Sequence, residues 1–527
     1  MRVRQFKDLI LVDNWPGSLA AIVAGLVVSF FLFGFWWPYW RTADMDLWMV
    51  YEAWLFNDGL SQEWFEHPGY LTILLLGNWF RLLHGMGLLD VHALSALPAP
   101  PYAEHAWTAA VQAGRVLSLF LAIAFVLGFG ALLRRLIGDW RVAVLATLGL
   151  AFSGGLAMEA RIIRTELIAG GLVTIALLIL LNAARSPQTP WRPVLVGAAA
   201  FMATLGLVNK IQLVFLICAL PFIVVPFGCR FDDPTAFWRR SPLAIPLSAL
   251  FGVGAVLIAI PAAQLVGIGI SQAPTFYAQP FVLGTYGIYQ TAIAVWISAA
   301  VIGFAIVWRV SGPETFATMS AVLAGIAMGL LSLDIRYNPH NVVAVLNPLE
   351  QLAGYAENLR VPGDETMLTG LAGSLIHGIG IVLATRTFVL DSSARPTIFL
   401  EWLVIAAAIS TWKSGNRRLA AQVAALMCVA WGMDAINSLR SLQLQYFILT
   451  DPLAIIAAAL LLAEAPSLQA HARAYQIGAV LIAIHFVLSQ SEPVKHTFQT
   501  SKPFHFCIEH YGHTKRIEIY PFCRLAV

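Results

Sequence analysis

Apolar runs long enough to cross a bilayer recur from one end of the chain to the other. They limit what it can fold into more than any other feature. A membrane-crossing helix needs about 20 predominantly apolar residues. Runs of this kind occupy residues 18–37, 108–133, 142–159, 166–183, 194–209, 211–228, 243–268, 288–309 and 314–333. A second group covers 371–391, 397–412, 418–436, 447–463 and 473–489. Inside lipid only helices and closed barrels satisfy every backbone polar group. A barrel would show alternating segments of about ten residues, and the sequence has none. The expectation is an all-α polytopic membrane protein with about 13–14 transmembrane helices. Charged residues make up only 12% of the chain, against about 25% in soluble domains. The net charge of +3 is too small to point to a nucleic-acid partner, so membrane lipids are the expected surroundings.

The basic residues set the expected sides. The amino-terminal "MRVRQFKDLILVDNWPG" precedes a run long enough to span, with no small-residue cleavage site after it. It reads as a signal anchor with a cytoplasmic amino end. The arginine-rich turns "RRLIGDWR" (134–141) and "CRFDDPTAFWRR" (229–240) should also be cytoplasmic. Residues 38–107, 159–166, Asn209–Lys210, 269–287 and 334–370 then lie on the opposite, outer side. Alternation fails after residue 370. "KSGNRR" (413–418) should be cytoplasmic by charge but falls outside by counting. One of 371–391 and 397–412 is therefore expected to be re-entrant or to lie along the surface.

The expected organisation is one membrane domain, 1–490, with outer loops at 38–107 and 334–370, and a small polar tail, 491–527. The first loop holds "GYLTILLLGNWFRLLHGMGLL", whose Arg81 and His84 favour an interfacial helix over a span. The segment 347–363 has similar character. Cys218, Cys229 and Cys428 lie in or beside apolar runs and read as structural. Cys507 and Cys523 flank the tail and would pair if it faces an oxidising compartment.

Ionisable residues near the outer boundary are the candidates for chemistry. "RTADMDLWMVYEAWLFNDGLSQEWFEHPGYL" follows the first apolar run and carries six acids. Asp44 and Asp46 would serve as a general base or hold a cation, or simply belong to a solvated acidic loop. Glu66, His67 and Pro68 form a polar group in the same loop, although a lone histidine there is more often a surface residue. "MEARIIRTEL" (158–167) places Arg161, Arg164 and Glu166 at a membrane edge. Its arginines suit an anionic group such as a phosphate, or only lipid headgroups. "LGLVNKIQLVFL" (205–216) breaks a longer apolar run with Asn209 and Lys210. A lysine in hydrocarbon is costly, so Lys210 should mark a tight hairpin, face a cavity, or do both. Glycine-rich nucleotide loops, phosphate-binding Gly-Lys-Ser/Thr loops and His-Glu-x-x-His metal helices are absent from the sequence.

These segments together resemble the GT-C glycosyltransferases, especially the protein O-mannosyltransferases and the lipid A aminoarabinose transferases. Counting back from Gly59 puts Asp44 on the family's catalytic aspartate, with Met45 for its acidic neighbour and Asp46 one place later. Glu66-His67-Pro68 resembles the family's second motif, with Gly69 where a second proline is usual. "ARIIRTEL" resembles the short outer loop that carries a further acid, here Glu166. "LVNKIQLVF" resembles a Thr-Lys-Gly hairpin tip, with Asn209 for Thr and Ile211 for Gly. "LQYFILTDPLAIIAAALLL" (444–462) resembles the Arg-Tyr-Leu-Leu-Pro start of a late span, with Gln445 for Arg. The resemblance covers roughly residues 15–230 by motif and the rest by architecture.

The resemblance implies a GT-C-like fold and a multi-pass enzyme, in a bacterial inner membrane given the short loops, with its site on the periplasmic side. It would move a sugar from a polyprenyl-phosphate donor to a lipid, polysaccharide or protein acceptor. Asp44, or Asp46 in its place, would be the base. Lys210, Arg161 and Arg164 would stabilise the leaving phosphate. Glu66, His67 and Glu166 would orient the lysine and sugar hydroxyls or hold a divalent metal ion. The rival reading is a transporter or flippase for a lipid-linked or anionic substrate, built on the same cations. It expects internal symmetry and paired helix breaks, and neither is clear in the sequence. A third reading is an inactive relative that scaffolds a cell-envelope complex.

Overall fold

The computed structural model describes residues 14–63, 69–99, 102–185, 191–228, 312–333, 398–438, 444–464 and 487–499, plus isolated positions at 295–296, 299–300, 303–304, 308, 345, 348, 480 and 484. All regular elements among them are helical. In order they are α1 (Trp15–Phe33), a π-helical turn (Ala43–Leu47), α2 (Trp48–Asn57), α3 (Tyr70–Gly85), α4 (Ala103–Ile137), α5 (Trp140–Ala151), α6 (Gly154–Glu159) and α7 (Thr165–Arg185). There follow α8 (Arg192–Asn209), α9 (Leu213–Gly228), α10 (Gly312–Leu330), α11 (Ile398–Lys413), α12 (Arg417–Ser438), a 3-10 turn (Leu444–Leu449), α13 (Asp451–Glu464) and α14 (Ser491–Phe498).

Six of these helices are long and apolar enough to cross a membrane: α1, α4, α7, α8, α10 and α12. Shorter apolar helices lie at Trp140–Ala151, Leu213–Gly228 and Leu403–Lys413. The chain is thus an all-helical protein with the character of an integral membrane protein. The apolar runs 243–268, 371–391 and most of 288–309 and 473–489 lie outside the described residues, as do 347–363 apart from position 348, and Cys229, Cys507 and Cys523. Cys218 and Cys428 are free thiols.

Two apolar cores are stacked along the bundle axis. The larger joins α1, α4, α5, α7, α9, α12 and α13. The second gathers Trp48, Trp54, Ile73, Phe80, Trp107, Val111, Ile163 and Val208 beyond the outer helix ends. Helix α4 links them. Its 35 residues span roughly 50 Å at 1.5 Å per residue, well beyond the ~30 Å hydrocarbon core. Its first turns therefore stand in the outer layer. In helix α3, Ile73, Leu76 and Phe80 face the second core, while Leu82 is exposed.

The expected span 142–159 is broken. Helix α5 ends at Ala151, and the Ser153 hydroxyl accepts from Leu156 N–H at 3.3 Å to cap α6. A serine cap at the start of a new helix outcompetes continuation into the Gly154-Gly155 pair, which has weak helix propensity. Gly155 also lets α6 meet the 444–449 turn backbone to backbone. A Cβ there would collide with Phe447 and Ile448.

The described contacts place the 413–418 turn at one end of the bundle. Arg418 Nη2 donates to Phe227 O at 2.5 Å and Gln422 Nε2 to Pro226 O at 3.3 Å, at the end of α9. The 413–418 turn therefore lies at the same end of the bundle as the end of α9. Arg185 at the end of α7 pairs with Glu464 at the end of α13 on the same face. Helix α10 runs parallel to α8, with Arg192 bonded to Glu314 near their starts and Gly329 beside Thr204 near their ends.

Candidate active site

Four sequence-distant segments meet at the end of the bundle where α8 stops and α9 starts. The α8–α9 hairpin tip is tied to the first outer loop by Asn209. Its Oδ1 accepts from Thr72 N at 3.0 Å, and its Nδ2 donates to Thr72 Oγ1 at 3.1 Å and to Thr165 O at 2.7 Å. Gly69 N–H donates to Asn209 O at 3.0 Å. Gly69 adopts φ +58°, a left-handed conformation open to glycine and closed to proline. A proline here would fit neither this backbone angle nor the hydrogen bond.

Lys210 is 1% exposed and its Nζ lies 2.9 Å from Glu166 Oε1. The other Glu166 oxygen accepts from Thr165 Oγ1 at 2.9 Å and lies 3.4 Å from Arg164 Nε. Glu159 completes the cluster. It is buried, and no complete hydrogen bond reaches either of its oxygens. Burial, then the neighbouring Glu166 charge, raise its pKa well above 4.5 against the pull of Arg164, Lys210 and the Leu167 N–H.

The acidic loop meets the far edge of the same 160–164 turn. Asp46 Oδ1 accepts from Ile163 N at 2.7 Å. Its Oδ2 accepts from Thr42 Oγ1 at 2.6 Å and from Arg115 Nε and Nη2 at 3.0 and 2.7 Å. Arg115 also donates to Trp37 O at 2.6 Å and Pro38 O at 3.2 Å. These donors occupy both Asp46 oxygens and fix the loop against α4. Asp44 lies in the π-helical turn Ala43–Leu47; its side chain is outside the described residues, as are Glu66, His67 and the Gln445 side chain.

The structure separates the two arginines of "ARIIRTEL". Arg164 joins Glu166. Arg161 turns into the bundle, where it donates to Ala157 O, Ser29 Oγ and, at 2.9 Å, Gln490 Oε1. Gly34 leaves the room for its side chain. Trp37 Nε1 donates to Thr497 Oγ1 at 2.9 Å, so α14 lies beside the end of α1. Among the described residues no three His, Cys, Asp or Glu converge as metal ligands, and Glu166 is engaged by Lys210. Sequence reading passed over Arg115 and Glu159. A charge inside an apolar run was the available signal for Arg115. Glu159 stands at the edge of an expected span and gave none.

Comparison of the chain with protein-family models, with curated proteins and with solved structures gives no match.

Proposed function

We propose that the chain is a membrane glycosyltransferase of the GT-C kind, which moves a sugar from a polyprenyl-phosphate donor to an acceptor hydroxyl. It would work on the periplasmic face of a bacterial inner membrane. The observation that carries this reading is the buried Lys210–Glu166 pair at an outer hairpin tip, bonded to the loop that holds Asp44. A lysine removed from water and paired with Glu166 is placed to exchange part of that contact for a phosphate.

The donor is a phosphodiester with one negative charge. Asp44 takes the proton of the acceptor hydroxyl as its oxygen attacks the anomeric carbon. The bond from that carbon to the phosphate oxygen breaks, and its electron pair leaves with the phosphate, which becomes a dianion. Lys210 and Arg164 stabilise the added charge. Base and phosphate clamp act on opposite sides of the sugar, so the configuration inverts. Asp46 and Arg115 hold the Asp44 turn in place.

The test is transfer from labelled polyprenyl-phosphate sugars by purified protein in lipid. Asp44→Asn and Lys210→Met should each lower kcat by about 100-fold or more, the usual scale for a lost base or charge stabiliser. Folded variants that keep full turnover would refute the assignment. Saturable translocation of a donor without transfer would favour the flippase.

A further inference from the structure

Buried arginines in this protein usually meet a carboxylate. Arg115 pairs with Asp46, Arg164 with Glu166 and Arg192 with Glu314. Arg161 lacks one among the described residues, but neutral oxygens accept from both its terminal nitrogens. Arg41 differs from all of these. It is 8% exposed, and neither its Nε nor its Nη2 has a hydrogen-bond acceptor. No carboxylate among the described residues lies within ion-pair distance of it.

The open nitrogens form one edge of the guanidinium. Nε–H and Nη2–H point the same way and make two parallel bonds to a carboxylate or phosphate. Arg115, next to it, uses that same edge on Asp46. The two arginines share an anchor: Arg41 N–H donates to Pro38 O at 3.0 Å and Arg115 Nη2 to the same oxygen at 3.2 Å. The Arg41 guanidinium is held over the Trp40 ring at 5.0 Å from its centroid. Burial and the Arg115 charge both lower the Arg41 pKa. The group is thus a fixed, costly cation with its binding edge unfilled.

Its place in the fold suggests what fills it. Arg41 follows the outer end of α1, whose Phe31, Leu32 and the nearby Trp36 are exposed, as lipid-facing residues would be. This is the level at which lipid phosphates lie, and it directly precedes the Asp44 turn. We infer that Arg41 is an oxyanion-binding residue that receives the phosphate of a membrane lipid on its Nε–Nη2 edge. The inference needs only that phosphate and stands apart from the transferase reading, which the turnover of Lys210→Met tests separately.

The experiment uses full-length protein in phosphatidylcholine nanodiscs, titrated with a long-chain polyprenyl monophosphate, the matching polyprenol, or phosphatidylglycerol. Binding is read by thermal shift and native mass spectrometry. A phosphate-bearing lipid should bind and the polyprenol should not. Arg41→Met should weaken that binding roughly 10- to 100-fold, the scale of lost hydrogen bonds to a charged group. Arg41→Lys, which keeps the charge and lacks the fork, should also weaken it. Without ligand, Arg41→Met should melt at or above the wild-type temperature, because it removes an uncompensated buried charge. Arg41-dependent binding of polyprenyl phosphate alone would identify a carrier lipid; equal binding of phosphatidylglycerol would identify a general headgroup site. Unchanged binding in Arg41→Met, or a lower ligand-free melting temperature that reveals an internal counter-ion, would overturn the inference.

Discussion

Arg115 Nη2 sits 2.7 Å from Asp46 Oδ2, across a sequence separation of 69 residues, with neither side chain exposed. This pair fastens the turn after the first span to the long helix α4. A buried pair is expensive to form and more expensive to break. Asp46→Asn and Arg115→Met are each expected to cost about 3–5 kcal/mol. The double variant Asp46→Leu/Arg115→Met should cost less than the sum, since it leaves no orphaned charge. A double-mutant cycle on unfolding in lipid measures this, and strict additivity would show that the two residues do not act as a pair.

Gly69 carries a second expectation. Its φ of +58° and its hydrogen bond to Asn209 O are both denied to proline. Gly69→Ala should cost about 1 kcal/mol or a little more for the left-handed backbone alone. Gly69→Pro should cost several times that and loosen the contact between α3 and the Lys210 hairpin. Thermal unfolding of the two variants separates the effects; equal losses would mean that the hydrogen bond contributes nothing.

The sides of the bundle can be read by labelling. Ser414 and Gln499 are both exposed. Ser414 lies at the inner end of α11, and Gln499 follows α14, which contacts Trp37. In a cysteine-free background, Gln499→Cys should react with an impermeant maleimide in intact cells. Ser414→Cys should react only after the membrane is opened. Labelling of both from one side would break the topology.

Glu159 predicts a pH dependence. Its folded pKa is raised above the ordinary 4.5, first by burial and then by Glu166. The folded state therefore holds a proton that the unfolded state has given up. The resulting stabilisation is fully present below about 4.5 and is lost as pH rises towards the folded value. Melting temperatures taken from pH 5 to 9 should fall less steeply in Glu159→Gln than in the wild type. Parallel curves would show that Glu159 is ionised throughout.

The sequence by itself determined the all-helical, membrane character and the positions of the long apolar helices. Those conclusions rest on local hydrophobicity and on which turns carry arginine, and both are properties of short windows. Only the tertiary structure decided which charges meet. Arg161 and Arg164 stand three residues apart, yet one enters the bundle beside Ser29 and the other joins Glu166. Helical periodicity would have predicted a shared face, but the turn between α6 and α7 follows no period, so their directions are set by packing. The place of 413–418 had the same cause: charge and counting disagreed, and the contact of Arg418 with Phe227 sets that turn at the end of the bundle where α9 stops. A buried charge takes its partner from whatever the fold brings within reach, and that reach is not written in the spacing of residues along the chain.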